Sequence, residues 1–174
     1  MSYFVVDIES DGPIPGVYSM ISFGVMKVDA ELNTGFKGLV KPISEKWNAD
    51  ALAVSDISRQ THESYPDPEK TLQEFVAWLQ KNNEGHPVFW SDNPAFDWQF
   101  MNYYLHVYTG SNPFGFSARR IGDLYAGLNK NLNKANDWKK LRKTAHTHDP
   151  LDDAKGNAEA LLEIARRYEL KIPK

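Results

Sequence analysis

The chain predicts an α/β fold in which a mixed sheet is covered by helices, and two observations carry that reading. Its first third is strand-like, with β-type runs over Tyr3 to Ile8, Met20 to Val28 and Gly35 to Lys41. From Pro68 onward, helical periodicity alternates with short apolar runs. Closely spaced strands favour an antiparallel meander, and strands that alternate with helices join such a sheet in parallel.

Each element has its own justification. Asp11 to Gly16 and Asn33-Thr34-Gly35 are turn-rich and separate the first strands. Leu72, Phe75, Val76 and Leu79 recur at helical spacing, and Pro87-Val88-Phe89-Trp90 then reads as a short buried strand. Asn93-Pro94 opens another helix, with proline at a first-turn position it tolerates and Phe96, Phe100, Met101 and Leu105 along it. A further stretch of mixed αβ character surrounds Ile121 to Leu128. The last helix is expected from about Leu151 to Tyr168, with Ala154, Ala158, Leu161 and Ala165 on one face. Without internal repeat, low-complexity tract or linker, residues 1–174 are expected to form one domain. Such a length buries roughly two-thirds of the surface of the unfolded chain.

Composition narrows the function classes. Cysteine is absent, which excludes disulfides, thiolate zinc sites and a cysteine nucleophile, and fits a reducing cytosol. MSYFVVDIE lacks the pattern of a leader, and no stretch approaches a membrane span, so an unexported, cytoplasmic protein with no membrane partner is expected. A net charge of -3 argues against indiscriminate nucleic-acid binding but leaves room for a local patch. Lys130, Lys134, Lys139, Lys140, Arg142 and Lys143 form one, opposed by Asp137, and its plain reading is a solvated helix face.

Three clusters carry the chemistry. "FVVDIESDGP", Phe4 to Pro13, begins as a hydrophobic strand and then presents Asp7, Glu9 and Asp11 at alternate positions. Repulsion among them would raise their pKa values unless a cation sits between them. Asp7 and Glu9 project from the same strand face, about 7 Å apart along the chain, and can share an ion. A charged pair on a solvated edge strand is the plain alternative. Against it, Tyr3-Phe4-Val5-Val6 is continuously hydrophobic, as in a central strand buried on both faces, where uncoordinated acids are costly.

The second cluster, "SDNPAFDWQFMN", places Asp92 near a helix cap and Asp97 in the first turn. Capping and the helix dipole account for Asp92. Asp97 lies between Phe96 and Trp98, an apolar setting that points to a function. The third, "HTHDPLDDAKGNAEALL", holds His146, His148, Asp149, Asp152 and Asp153 ahead of an amphipathic helix. A loop histidine can serve as general base near neutral pH. Asp152 and Asp153 flank the apolar face almost equally, so periodicity does not choose between them. Several carboxylates with a histidine and no cysteine describe a hard oxygen site suited to Mg²⁺ or Mn²⁺ rather than zinc. A pair of such ions suits phosphodiester hydrolysis.

The order of these clusters resembles the DEDDh subgroup of the DEDD exonuclease superfamily, whose fold is ribonuclease H-like. The matching motifs are Asp7-Ile8-Glu9 with Ser10-Asp11-Gly12, then Asn93-Pro94-Ala95-Phe96-Asp97, then His148-Asp149-Pro150-Leu151-Asp152-Asp153-Ala154. Any one is weak, whereas three in order across nearly the whole chain are strong. The family's spacing in the third motif selects Asp153 over Asp152 and His148 over His146. The resemblance implies a 3'-5' exonuclease in which Asp7, Glu9, Asp97 and Asp153 hold two Mg²⁺ ions, with Mn²⁺ as a possible substitute. His148 would deprotonate the attacking water, backbone near Ser10 and Asp11 would contact the terminal 3'-hydroxyl, and the products would be 5'-mononucleotides.

Within the superfamily the wording is most similar to ribonuclease T-like exoribonucleases of the ribonuclease AS type, which implies a homodimer acting on single-stranded 3' ends, RNA before DNA. Leu52, in "NADALAVSDI", occupies the segment that related enzymes place over the terminal nucleotide as a wedge. Tyr18, Trp47 and Trp98 lie near the motifs as candidate stacking surfaces. The chain departs from the pattern at Asp92, where many such enzymes carry histidine, and at Ser55-Asp56, where many carry histidine and glycine. Those positions shape the nucleotide pocket, so the departures bear on substrate choice more than on chemistry.

Overall fold

The strand Ser2–Ser10 (β1) organises the molecule, because its side chains are apolar on both faces from Tyr3 to Val6. A computed structural model describes residues 1–172. β1 pairs antiparallel with Met20–Lys27 (β2), which pairs antiparallel with Gly35–Leu39 (β3). On its other side β1 runs parallel to Pro87–Ser91 (β4), which runs parallel to Ala118–Arg120 (β5). The sheet order is β3-β2-β1-β4-β5, the expected mixture of a meander with parallel strands. The third strand stops at Leu39, short of the expected Lys41.

Alternation along β1 divides the core in two. Phe4, Val6 and Ile8 face the helices Pro68–Asn82 (α3) and Pro94–Thr109 (α4), packing with Leu72, Phe75, Phe100 and Tyr104. Val5 faces the opposite side and packs with Ile121 of Ile121–Leu128 (α5) and with Ala154, Ala158 and Leu161 of Pro150–Arg167 (α6). Asp7 and Glu9 continue the row of Tyr3 and Val5, so both acids emerge on the α6 side. β1 pairs with β4 only as far as Val5 opposite Trp90, and a bulge at Glu9 and Ser10 ends its regular pairing with β2. The acidic end of β1 therefore projects past β4, where α4 begins.

The region around Ile121 resolves into the three-residue β5 followed directly by α5. Two short helices, Ala49–Val54 (α1) and Arg59–Glu63 (α2), fill the stretch between β3 and α3. Asn48 and Ser58 cap them through their side chains. The basic run is not a solvated helix face. It forms 3₁₀ turns over Leu132–Lys134 and Asp137–Leu141, with Trp138 buried as their anchor. Lys139 pairs with Asp92 at 2.5 Å and Arg142 with Asp153 at 2.7 Å, so part of the run points at the acids.

Candidate active site

Three elements deliver the acids to one place. β1 supplies Asp7 and Glu9, the first turn of α4 supplies Asp97, and the first turn of α6 supplies Asp153. Carboxylate oxygens of Asp7, Glu9 and Asp153 lie within 4.8 Å of one another. Asp97 is buried close enough to raise the pKa of both Asp7 and Glu9.

Glycine makes this convergence possible. Gly24 of β2 sits opposite Asp7, and a Cβ there would overlap the Pro150 carbonyl at the start of α6. The absence of a side chain lets α6 begin directly against the sheet beside Asp7. Asp149 caps α6 by accepting from the N–H groups of Leu151 and Asp152, and also pairs with Lys37 of β3. Within the first turn of α6, Asp153 is hidden completely and Asp152 is left exposed.

The electrostatics are those of acids that outnumber their counter-charge, with Arg142 at Asp153 the cation beside them. Burial pushes Asp7 well above the usual carboxylate range, and Asp97, Glu9 and Asp153 add to the shift. Glu9 is raised to about 7 by burial and then by Asp153 and Asp97. Asp97 is raised to about 7, chiefly by burial, against the opposing pull of Ser91 and the Asn93 N–H. Oxygen donors gathered in this way, with Asp7, Glu9 and Asp97 reluctant to ionise, fit a hard divalent cation.

The third motif is built around Asp153. Its carboxylate accepts from the N–H groups of Thr147 at 3.2 Å and His148 at 3.0 Å, and from Arg142 at 2.7 Å. His148 reaches this position with φ near +60°, a left-handed conformation uncommon for a histidine. Its ring is half exposed, with Nδ1 3.8 Å from Glu9 Oε1. His146, which the family spacing passes over, lies with Nδ1 2.8 Å from Asp153 Oδ2, and its ring stands 4.4 Å from that of His148. The doubled histidine in "HTHD" was the available signal. Arg142 carried none, because only the 3₁₀ turn and the glycine at 156, over which its guanidinium passes, bring it to the acids.

The remaining candidates lie beside this cluster. Ser10 is buried and donates its hydroxyl to the Gly12 carbonyl. Asp11 has its backbone N–H bonded to Ser19 and its carbonyl to Asn48, while its carboxylate accepts from Ser19 and Arg59. Leu52 is only 3% exposed, whereas Trp47 and Val54, either side of it in sequence, are exposed. Tyr18 packs across Gly12 and Trp98 across Phe89. Asp92 makes no side-chain cap for α4, and pairs with Lys139 instead.

Residues 3–165 match the family model described as the 3'-5' exoribonuclease Rv2179c-like domain. The chain is 37% identical to the 3'-5' DNA exonuclease Cap18 of Escherichia coli, over 95% of this chain and 92% of that one. Among solved structures, the fold is similar to the nuclease domain of 3'hExo, a DEDDh family member solved with rAMP, with TM-score 0.76 and 18% identity over 99% of this chain and 96% of that one. It is also similar to Escherichia coli exonuclease I solved with single-stranded DNA, with TM-score 0.74 and 14% identity over 95% of this chain and 40% of that one. With the acids of three motifs gathered at one strand end, the chain belongs to the Rv2179c-like 3'-5' exoribonuclease domain family and is a 3'-5' exonuclease.

Proposed function

We propose that the protein removes nucleotides one at a time from the 3' end of single-stranded RNA, releasing 5'-mononucleotides, with Asp7, Glu9, Asp97 and Asp153 holding two divalent ions. The observation that carries this reading is the convergence of Asp7, Glu9 and Asp153 within 4.8 Å, with Asp97 buried alongside. When bound, such ions supply the positive charge that the attacking and departing oxygens of a phosphodiester require. Exonucleases of this type use divalent ions, typically Mg²⁺.

The chain's own residues do the rest. Glu9 faces His148 Nδ1, which leaves Nε2 free to take a proton from water. Asp153, held by Arg142 and two backbone N–H groups, keeps its oxygens aimed at the cluster. Backbone at Ser10 lies beside the acids for contact with the terminal 3'-hydroxyl. Trp47 and Val54, flanking Leu52, offer apolar surface against which a terminal base can rest.

RNA is the substrate named in the family's description. The DNA activity in the name of the 37% identical relative favours a second reading, single-stranded DNA. Matched 5'-labelled RNA and DNA oligonucleotides, single-stranded, duplex and with 3' overhangs, decide between them in one time course. Faster loss of RNA from the 3' end supports the first reading, and preference for DNA replaces it with the second. The assembly we propose is the homodimer implied by the resemblance, and a monomeric mass by sedimentation would remove it.

A further inference from the structure

Of the four acids, Asp7 lines a cleft of about 360 Å³ whose remaining lining the acids do not explain. Asp92, Lys139, Arg142, Lys143, His146 and Asn157 of α6 line it together with Asp7. Lys139 is occupied by Asp92 and Arg142 by Asp153, whereas Lys143 forms no ion pair among the described residues. The cationic wall is built rather than loose. Glu159 of α6 accepts from the N–H groups of Lys143 and Thr144 at 2.8 and 2.7 Å and from the Thr144 hydroxyl at 2.9 Å, which pins the loop to the helix. Gly156 provides the slot for the Arg142 guanidinium, since a Cβ there would meet it. A glycine within a helix is unfavourable relative to alanine, so this slot is maintained against propensity. Asn157 lines the cleft while only 2% exposed, and its Oδ1 has no partner among the described residues.

A cation-walled cleft beside a metal-binding cluster suits an anion that arrives together with the scissile group. We propose that it is a phosphate subsite, centred on Lys143, for the internucleotide phosphate immediately upstream of the linkage being cut. This inference rests on the exonuclease reading above. The terminal nucleotide carries only the scissile phosphate to the acids, so the next phosphate along the strand is the anion delivered beside it.

The test compares wild type with Lys143→Gln. Binding is measured in Ca²⁺ with a single-stranded oligonucleotide protected at its terminal linkage by phosphorothioate, and with the same strand carrying an uncharged methylphosphonate at the penultimate linkage. A single-strand phosphate contact contributes a slope of about -0.7 to log affinity against log salt, which is worth about fourfold near 0.15 M salt. Lys143→Gln should bind the oligonucleotide about fourfold more weakly, with a slope shallower by about 0.7. The methylphosphonate should weaken wild type equally and the variant no further. A wild-type slope in the variant, or a methylphosphonate penalty that persists there, would overturn the subsite. Hydrolysis of a nucleoside 5'-(4-nitrophenyl phosphate), which has no upstream phosphate, separates this from damage to the metal site. The ratio of oligonucleotide to ester kcat/KM should fall about fourfold, and an unchanged ratio also counts against the subsite. Wild type that hydrolyses neither substrate would sink the exonuclease reading, while the Ca²⁺ measurements still read the subsite.

Discussion

Asp7 and Asp11 sit four residues apart on one run of chain, and their surroundings answer the same problem in opposite ways. Asp11 is fully buried, and although burial raises its pKa, the Ser19 N–H and Arg59 pull against that shift. Arg59 reaches it at 2.9 Å while also holding the Ser44 carbonyl and Glu63, and the Asp11 carbonyl receives the N–H of Asn48 at the head of α1. Asp7 meets three further acids and one guanidinium, and its pKa is raised far more. A buried acid with its cation built in belongs to the scaffold, whereas a half-buried acid among other acids is suited to a cation from solution. Adjacent acids in one motif can thus serve stability and chemistry separately.

Exchange of either acid for its amide should expose that difference. Asp7→Asn should lower turnover by about 10⁴-fold, the effect of losing several kcal/mol of charge stabilisation in the transition state. It should also raise the melting temperature of metal-free protein by relieving repulsion. Normal turnover in single-turnover assays would remove Asp7 from the metal site. His148→Ala should cost about 10³-fold, within the usual range for a general base, and leave Mn²⁺ affinity by calorimetry nearly intact. A parallel loss of Mn²⁺ binding would make His148 a ligand instead. Asp11→Asn should act the other way round, keeping metal affinity while destabilising the fold by about 3 kcal/mol, because Arg59 loses its carboxylate. A melting temperature lower by roughly 6–12 °C is expected, and an unchanged one would deny Asp11 its scaffold role.

Gly24→Ala tests how the two acid sets are kept in register. The added methyl meets the Pro150 carbonyl, so α6 must shift at a cost of about 2 kcal/mol, and Mg²⁺ affinity should weaken as Asp153 moves from Asp7. Retained affinity would show that the close approach is dispensable. The smallest effect expected is on pH. Glu9 and Asp97 rise from 4.5 and 3.8 to about 7 in the fold, so their protonation favours the folded state. In chelator that stabilisation should be complete below about pH 4 and vanish as pH rises through about 7, while saturating Mg²⁺ should flatten the decline. Melting curves across this window in both conditions read the difference, and identical slopes would argue against metal relief of the repulsion.

How much of this was legible depends on the range of the interactions involved. Local pattern exposed the strand row that makes Asp7 and Glu9 neighbours and the amphipathic helix that starts near Asp153. The choice of Asp153 over Asp152 came from the family motif, and burial agrees with it, since Asp152 is exposed. β5 is three residues long, too short for alternation to register, and α1 and α2 depend on the Asn48 and Ser58 caps more than on any apolar stripe. The roles of Arg142, Lys139 and Gly24 were hidden for another reason, although the first two stood out as part of a basic run. Each matters through a partner brought close only by the fold, namely Asp153, Asp92 and Pro150.

The loop from Lys143 to Asp149 is fastened at both ends to α6, by Glu159 at one end and by the Asp149 cap at the other. The imidazole of His148 and the carboxylate of Asp153 therefore ride on a single rigid carriage, while Asp7 and Glu9 belong to the sheet. A displacement of that carriage would keep His148 and Asp153 in step and change their gap to Asp7 and Glu9, so the seating of a helix on Gly24 sets how far one pair stands from the other.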